Sequence, residues 1–122
     1  MRVLLVDDER ELISALAERL EMRGIQTRWV TSGRQAIEAM AQDCFDLAVL
    51  DVRMPGMGGL ELKHRLAQSC PRMKFIFLTA YGSEQAFDSV ATDMGDDFYL
   101  VKPVDIQELM AKINLLAGKE DA

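Results

Sequence analysis

The chain is poor in the residues on which most nucleophilic catalysis and zinc capture depend. Its one histidine is His64, and its two cysteines, Cys44 and Cys70, stand apart with no CxxC pair. A Ser-His-Asp or Cys-His mechanism would have to be built on His64. That residue lies between Lys63 and Arg65 in a stretch with helical spacing, and no nucleophile motif accompanies it. A surface position is expected for it. Cys44 and Cys70 have no metal-type spacing and are expected to be free thiols in a reducing compartment. No apolar run approaches the roughly 20 residues of a membrane helix. The start, Met1-Arg2-Val3-Leu4-Leu5-Val6-Asp7-Asp8, turns acidic too soon for a signal peptide. A cytoplasmic protein without a membrane partner is the expectation. Positive charge is also short, with 14 Lys and Arg against 20 Asp and Glu and a net charge of −6. Such a surface repels phosphate backbones, which argues against direct nucleic-acid binding.

What remains is an ordinary globular composition. The 122 residues are 49% hydrophobic and 28% charged, which suits one domain with one core. Short apolar runs at 2–6, 25–30, 45–50, 73–78 and 97–101 read as strands. Three of them are nearly continuous, as in parallel strands covered on both faces. The run at 25–30 alternates and suits an edge. Between the runs lie amphipathic stretches. Leu12, Ile13, Leu16 and Leu20 mark a first helix over 10–23, stopped by Gly24. Ser32-x-x-Gln35 resembles a capping box for a second. Leu60, Leu62 and Leu66 mark a third that Pro71 stops. Ser83 caps a fourth, with Ala86, Phe87, Val90 and Ala91 on its apolar face. Asp105-x-x-Glu108 opens a fifth, which Gly118 ends, leaving 119–122 as a polar tail. The methionines near the ends of apolar runs, among them Met22, Met40, Met73 and Met110, read as core filling. Five βα units in this length predict a doubly wound α/β fold with a five-stranded parallel sheet in the order 2-1-3-4-5.

The informative feature is how the strands end. Val3-Leu4-Leu5-Val6 runs into Asp7 and Asp8, and Leu47-Ala48-Val49-Leu50 into Asp51. Thr79 follows the fourth strand, and Lys102 the fifth. In this sheet order the first and third strands are neighbours, and their C-terminal ends line the crevice where ligands bind. Three carboxylates so placed repel one another unless a cation neutralises them, and Mg²⁺ suits hard oxygen ligands. Each group alone has an ordinary explanation, such as a helix cap or a solvated charge. Together they supply a carboxylate nucleophile, a cation site, a lysine and a hydroxyl donor. Phosphoryl transfer needs mostly positioning and charge stabilisation, which this set supplies.

Val6-Asp7-Asp8-Glu9, the run from Leu50-Asp51 through Pro55 to Gly58-Gly59, Leu78-Thr79-Ala80 and Tyr99-Leu100-Val101-Lys102-Pro103 resemble the receiver domain of two-component response regulators. The resemblance spans nearly the whole chain, with residues 1–118 as the receiver and the motifs in order. It implies that Asp51 accepts a phosphoryl group from a sensor histidine kinase or phosphotransfer protein. It implies Mg²⁺ held by Asp8, Asp51 and the backbone carbonyl of Arg53, with Asp7 assisting, and a cis peptide before Pro103. It further implies a switch in which Thr79 and Tyr99 move and the surface of the fourth helix, fifth strand and fifth helix changes. A phosphorylation-dependent homodimer is compatible with it. The output, whether an attached domain or a separate target protein, is left open. Arg53 and Tyr81 flank the phosphoryl position without a carboxylate or amide to hold water, so slow hydrolysis is expected.

This reading is of a binding and relay module, not a turnover enzyme. An aspartate-nucleophile phosphatase of the haloacid dehalogenase type is the alternative. It needs an acid two residues after the nucleophile, and Arg53 stands there. A flavodoxin-like electron carrier would need a Ser/Thr/Gly-rich phosphate loop after the first strand, where Asp7-Asp8-Glu9 stands.

Overall fold

The computed structural model describes the backbone of residues 1–80 and 98–121 and the side chains of 1–80 and 99–117. The elements are β1 (Arg2–Val6), α1 (Arg10–Glu21), β2 (Gln26–Val30), α2 (Gly33–Met40), β3 (Leu47–Asp51), α3 (Gly59–Ser69), β4 (Lys74–Thr79), β5 (Phe98–Val101) and α4 (Ile106–Asp121). The helix expected from Ser83, and Tyr81 with it, lies outside the described residues. The fifth helix of the sequence reading is therefore α4 here.

All strand pairs are parallel, in the order β2-β1-β3-β4-β5. Successive side chains of a strand face opposite ways, and the core divides accordingly. Leu4, Ala48, Leu50, Phe75 and Phe77 pack with α2 and α3 through Ala36, Ala39, Leu62 and Leu66. Val3, Leu5, Leu47, Val49, Ile76 and Leu78 pack with α1 and α4 through Ile13, Leu16, Leu20, Leu109, Ile113 and Leu116. Strands buried on both faces need continuous apolar runs, which explains the sequence of β1, β3 and β4. β2 is an edge strand, and Gln26 and Arg28 are exposed on it.

Local signals set the helix ends. Ser32 accepts the Gln35 backbone N–H at 3.1 Å. The reciprocal bond differs from the box expected, because Gln35 Oε1 accepts from the backbone of Thr31, one residue earlier. Gly24 has φ +85°, the left-handed turn that ends α1. Asp105 Oδ1 accepts the Gln107 N–H at 2.8 Å and opens α4.

Three expectations need correction. α4 runs through Gly118 to Asp121, so Gly118 does not end it. Glycine ends a helix only when it turns left-handed; otherwise it costs about 1 kcal/mol and the helix continues. Met22 is 78% exposed, because it caps α1 on the solvent side and fills no core. Cys44 and Cys70 are not free thiols: they are joined in a disulfide, with Cα atoms 6.1 Å apart. The β3–α3 crossover carries the chain up the sheet and back, so Cys44, three residues before β3, meets Cys70, the residue after α3. No local spacing motif announces such a pair.

Candidate functional site

The register Val6↔Leu50, continued by one residue, sets Asp7 beside Asp51 at the C-terminal edge of the sheet. Both continue the row of strand residues that faces α1 and α4. Backbone bonds draw the neighbouring strand ends in. Val52 N–H donates to the Leu78 carbonyl at 2.9 Å, and Lys102 N–H donates to the Thr79 carbonyl at 2.8 Å. The structure thus assembles the strand-end residues read from the sequence: Asp7, Asp8, Asp51, Thr79 and Lys102. Asp8, Asp51, Arg53, Thr79 and Lys102 line a cleft of about 230 Å³ with Glu9, Val52 and Ala80.

Asp7 and Asp51 are held by the same device. Asp7 Oδ1 accepts the Glu9 N–H at 2.8 Å, and Asp51 Oδ1 accepts the Arg53 N–H at 3.1 Å. A carboxylate binding the N–H two residues on is a recurrent local turn. In each residue the second oxygen is left to face Lys102. Lys102 Nζ lies 2.8 Å from Asp7 Oδ2 and 3.4 Å from Asp51 Oδ2. Asp7 is fully buried, and its Oδ2 makes no hydrogen bond despite the nearby ammonium, whose angle does not suit one.

These charges disturb one another. Burial pushes the Asp51 carboxyl up to about 6, the Asp7 charge adds to the rise, and Lys102 and the Arg53 N–H oppose it. Asp7 is also raised, by burial first, against Lys102 and the Glu9 N–H. Burial disfavours the charged form of Lys102, yet its close ion pairs with Asp7 and Glu9 and the charge of Asp51 together raise it above the ordinary lysine value.

Oxygen atoms of Asp7, Asp8 and Asp51 lie within 4.8 Å of one another. Asp8 is exposed at the mouth, while Asp7 and Asp51 are buried. The set fits a hard divalent cation on chemical grounds: every donor is a carboxylate oxygen, and one of them is buried without a hydrogen bond.

Gly59, the first residue of α3, packs against the strand end. A Cβ there would collide with the Asp51 carbonyl oxygen, and the Gly59 N–H donates to Val52 O at 3.0 Å. The glycine lets the helix start close under Asp51. Gly56 turns the intervening loop at φ +82°. The Lys102–Pro103 peptide is cis. Tyr99 pairs in register with Phe77, so it belongs to the α3 side of the sheet, and it is 43% exposed. His64 is exposed and remote in role.

One participant carried no assigned role in the sequence reading. Glu9 Oε1 lies 2.7 Å from Lys102 Nζ, closer than Asp51 does. Its place directly after the Asp7-Asp8 pair was the available signal.

Known proteins share this sequence pattern and this fold. The family model described as the response regulator receiver domain matches residues 3–114. The transcriptional regulatory protein CpxR of Escherichia coli K12 is 41% identical over 116 residues, covering 94% of this chain and 48% of that protein. The response regulator protein PmrA of Pseudomonas aeruginosa is 37% identical over 120 residues, covering 98% of this chain and 53% of that protein. The chain thus spans about half the length of these curated relatives. The response regulator TrrA of Thermotoga maritima, solved in complex with Mg²⁺-BeF, is 31% identical with a TM-score of 0.80, over 94% of this chain and 97% of that one. The Francisella response regulator 1452 receiver domain is 28% identical with a TM-score of 0.83, over 98% of each chain.

Proposed function

This chain belongs to the response regulator receiver domain family, a phosphorylation-controlled signalling switch, and we propose that Asp51 is the residue that accepts the phosphoryl group. The observation that carries this assignment is the position of its carboxylate. It ends β3 at the sheet's switch point, with one oxygen fixed by the Arg53 N–H and the other facing Lys102 in the cleft. A carboxylate oxygen of Asp51 attacks the phosphorus of a phosphohistidine on a sensor histidine kinase or phosphotransfer protein. The P–N bond breaks, and the imidazole keeps the electron pair and takes a proton.

Each neighbour then has a task. Asp8, Asp51 and the carbonyl of Arg53, with Asp7 assisting, would hold Mg²⁺. When bound, that ion neutralises charge on the phosphoryl oxygens. Lys102 supplies a fixed positive charge at the buried side of the cleft. Its ion pairs with Asp7 and Glu9 hold it in place before the phosphoryl group arrives. The Thr79 hydroxyl sits at the end of β4, one strand from Asp51, as a donor to a phosphoryl oxygen.

Phosphorylation gives Asp51 additional negative charge and acceptor oxygens. Thr79 moves toward them, and Tyr99, half exposed on β5, turns inward. The surface of β5 and α4 changes, and an output domain or separate target reads it. Nothing in the chemistry calls for turnover of a small substrate. The acidic surface keeps the domain itself off nucleic acid, and a phosphorylation-dependent homodimer uses the same altered surface.

Incubation with acetyl phosphate and Mg²⁺ is expected to add one phosphate per chain, read by intact mass. The Asp51→Asn variant is expected to add none. Labelling of that variant at the wild-type rate overturns the assignment.

A further inference from the structure

At the end of β3 opposite the acidic cleft, Cys44 and Cys70 are bonded across a sequence separation of 26 residues. We propose that these two residues form a reversible thiol–disulfide site, closed by exchange with a low-molecular-weight disulfide and opened by the matching thiol. The inference stands apart from the role of Asp51 and does not rest on it.

The first observation is asymmetry of access. Cys44 is exposed in the loop before β3, whereas Cys70 is 6% exposed at the end of α3, among Leu66, Met73 and Phe75. An external disulfide therefore meets Cys44 first. Its thiolate attacks one sulfur of the oxidant, which releases one thiol and leaves a mixed disulfide on Cys44. The Cys70 thiolate then attacks the Cys44 sulfur and releases the second thiol. The protein loses two hydrogens, and the oxidant becomes two thiols. The buried partner resolves the adduct that the exposed partner collects.

The second observation is that neither backbone depends on the bond for its position. The Cys70 N–H donates to Leu66 O at 2.9 Å, and its carbonyl accepts the Met73 N–H at 3.0 Å. The loop carrying Cys44 is fastened to β1 by Arg2. The Arg2 guanidinium donates to Cys44 O at 3.1 Å, pairs with Asp43 and lies 4.7 Å over the Phe45 ring. The Arg2 N–H donates to Asp46 Oδ2 at 2.7 Å, and the Asp46 N–H returns to Arg2 O at 2.9 Å. Phe45 itself is buried. A reduced pair so fastened stays within reach, and ring closure needs no rearrangement of the fold.

The two descriptions of these cysteines then fit together. In a reducing compartment the pair is open, as thiols there usually are. Under oxidation the bond closes around β3, Asp51 and α3. It restrains the unfolded chain while leaving the groups of the cleft where they are.

The test equilibrates the full chain with glutathione and glutathione disulfide over a range of ratios, quenches with acid and counts thiols by maleimide mass labelling. The expected result is interconversion of dithiol and intramolecular disulfide without persistent glutathione adducts. Reduction is expected to lower the melting temperature by about 10 °C. Cys44→Ser and Cys70→Ser are expected to melt independently of the redox buffer. If Cys70→Ser fails to fold, the exposed Cys44→Ser carries the control. Thiols that stay reduced at every ratio overturn the proposal. So does a disulfide that resists excess thiol until the protein is denatured, or a lasting adduct on Cys44 without ring closure.

Discussion

Lys102 Nζ is 2.7 Å from Glu9 Oε1 and 3.4 Å from Asp51 Oδ2, so the lysine of the cleft rests closer to its exposed partner than to the buried Asp51. Glu9 is 59% exposed at its side chain, and water screens its pull. Glu9→Gln is expected to change stability by less than about 1 kcal/mol and to leave Mg²⁺-dependent labelling in place. Lys102→Ala is different in kind, because it strips Asp7 and Asp51 of their buried countercharge. That variant is expected to fold, to hold Asp51 protonated to a higher pH than wild type, and to lose most of its labelling or of its spectral response to it. Carboxyl titration by NMR and labelling rates separate the two variants. Equal effects of both would show that Lys102 acts through Glu9 and not on Asp51.

Without metal, Asp51 is expected to weaken the fold at neutral pH. Its carboxyl titrates at about 6 in the folded chain, mainly through burial and then the Asp7 charge. The unfolded value is about 4. Between those values the folded state binds more protons than the unfolded one. The stability linked to Asp51 is therefore full below about pH 4 and lost as pH rises through about 6. Asp51→Asn lacks that dependence. Its stability relative to wild type is expected to gain up to about 3 kcal/mol from pH 4 to pH 7. Urea titrations in chelator across this range give the difference; parallel curves would refute it.

Mg²⁺ is expected to raise the melting temperature of wild type in proportion to the logarithm of its concentration above Kd, because it binds the native state alone. Asp8→Asn removes one of the clustered charges, so its metal-free form is expected to be no less stable than wild type. It is also expected to lose the Mg²⁺ response. Differential scanning calorimetry with and without saturating Mg²⁺ decides this, and an unchanged wild-type transition would count against the site.

Gly59→Ala is expected to cost about 1–3 kcal/mol, as overpacking does, and to slow labelling. The new methyl would press on the Asp51 carbonyl oxygen, which is backbone and cannot swing aside. Gly24→Ala supplies the contrast. No atom stands within reach of a Cβ there, so its cost comes from the positive φ alone and labelling should be unaffected. Equal labelling by both variants would show that α3 can retreat without disturbing Asp51.

Much of this protein was determined by its sequence alone. Apolar runs ending in carboxylate, with amphipathic spacing between them, specify parallel strands covered on both faces and place Asp7, Asp8, Asp51, Thr79 and Lys102 at one edge. That inference works because strand alternation and helix periodicity are local, and the order 2-1-3-4-5 follows from few alternatives. Only the tertiary structure decided which partners meet across the chain. Lys102 reaches Glu9 over 93 residues, a distance no periodicity encodes. Asp7 is sealed while its neighbour Asp8 opens to the cleft, because successive residues at a strand end face opposite ways. Cys44 meets Cys70 because a crossover returns the chain to the end of the sheet where it began. Gly59 is required because a helix starts against a carbonyl that local sequence cannot see. Contacts of this kind depend on how the elements pack, and packing is set by all of them at once.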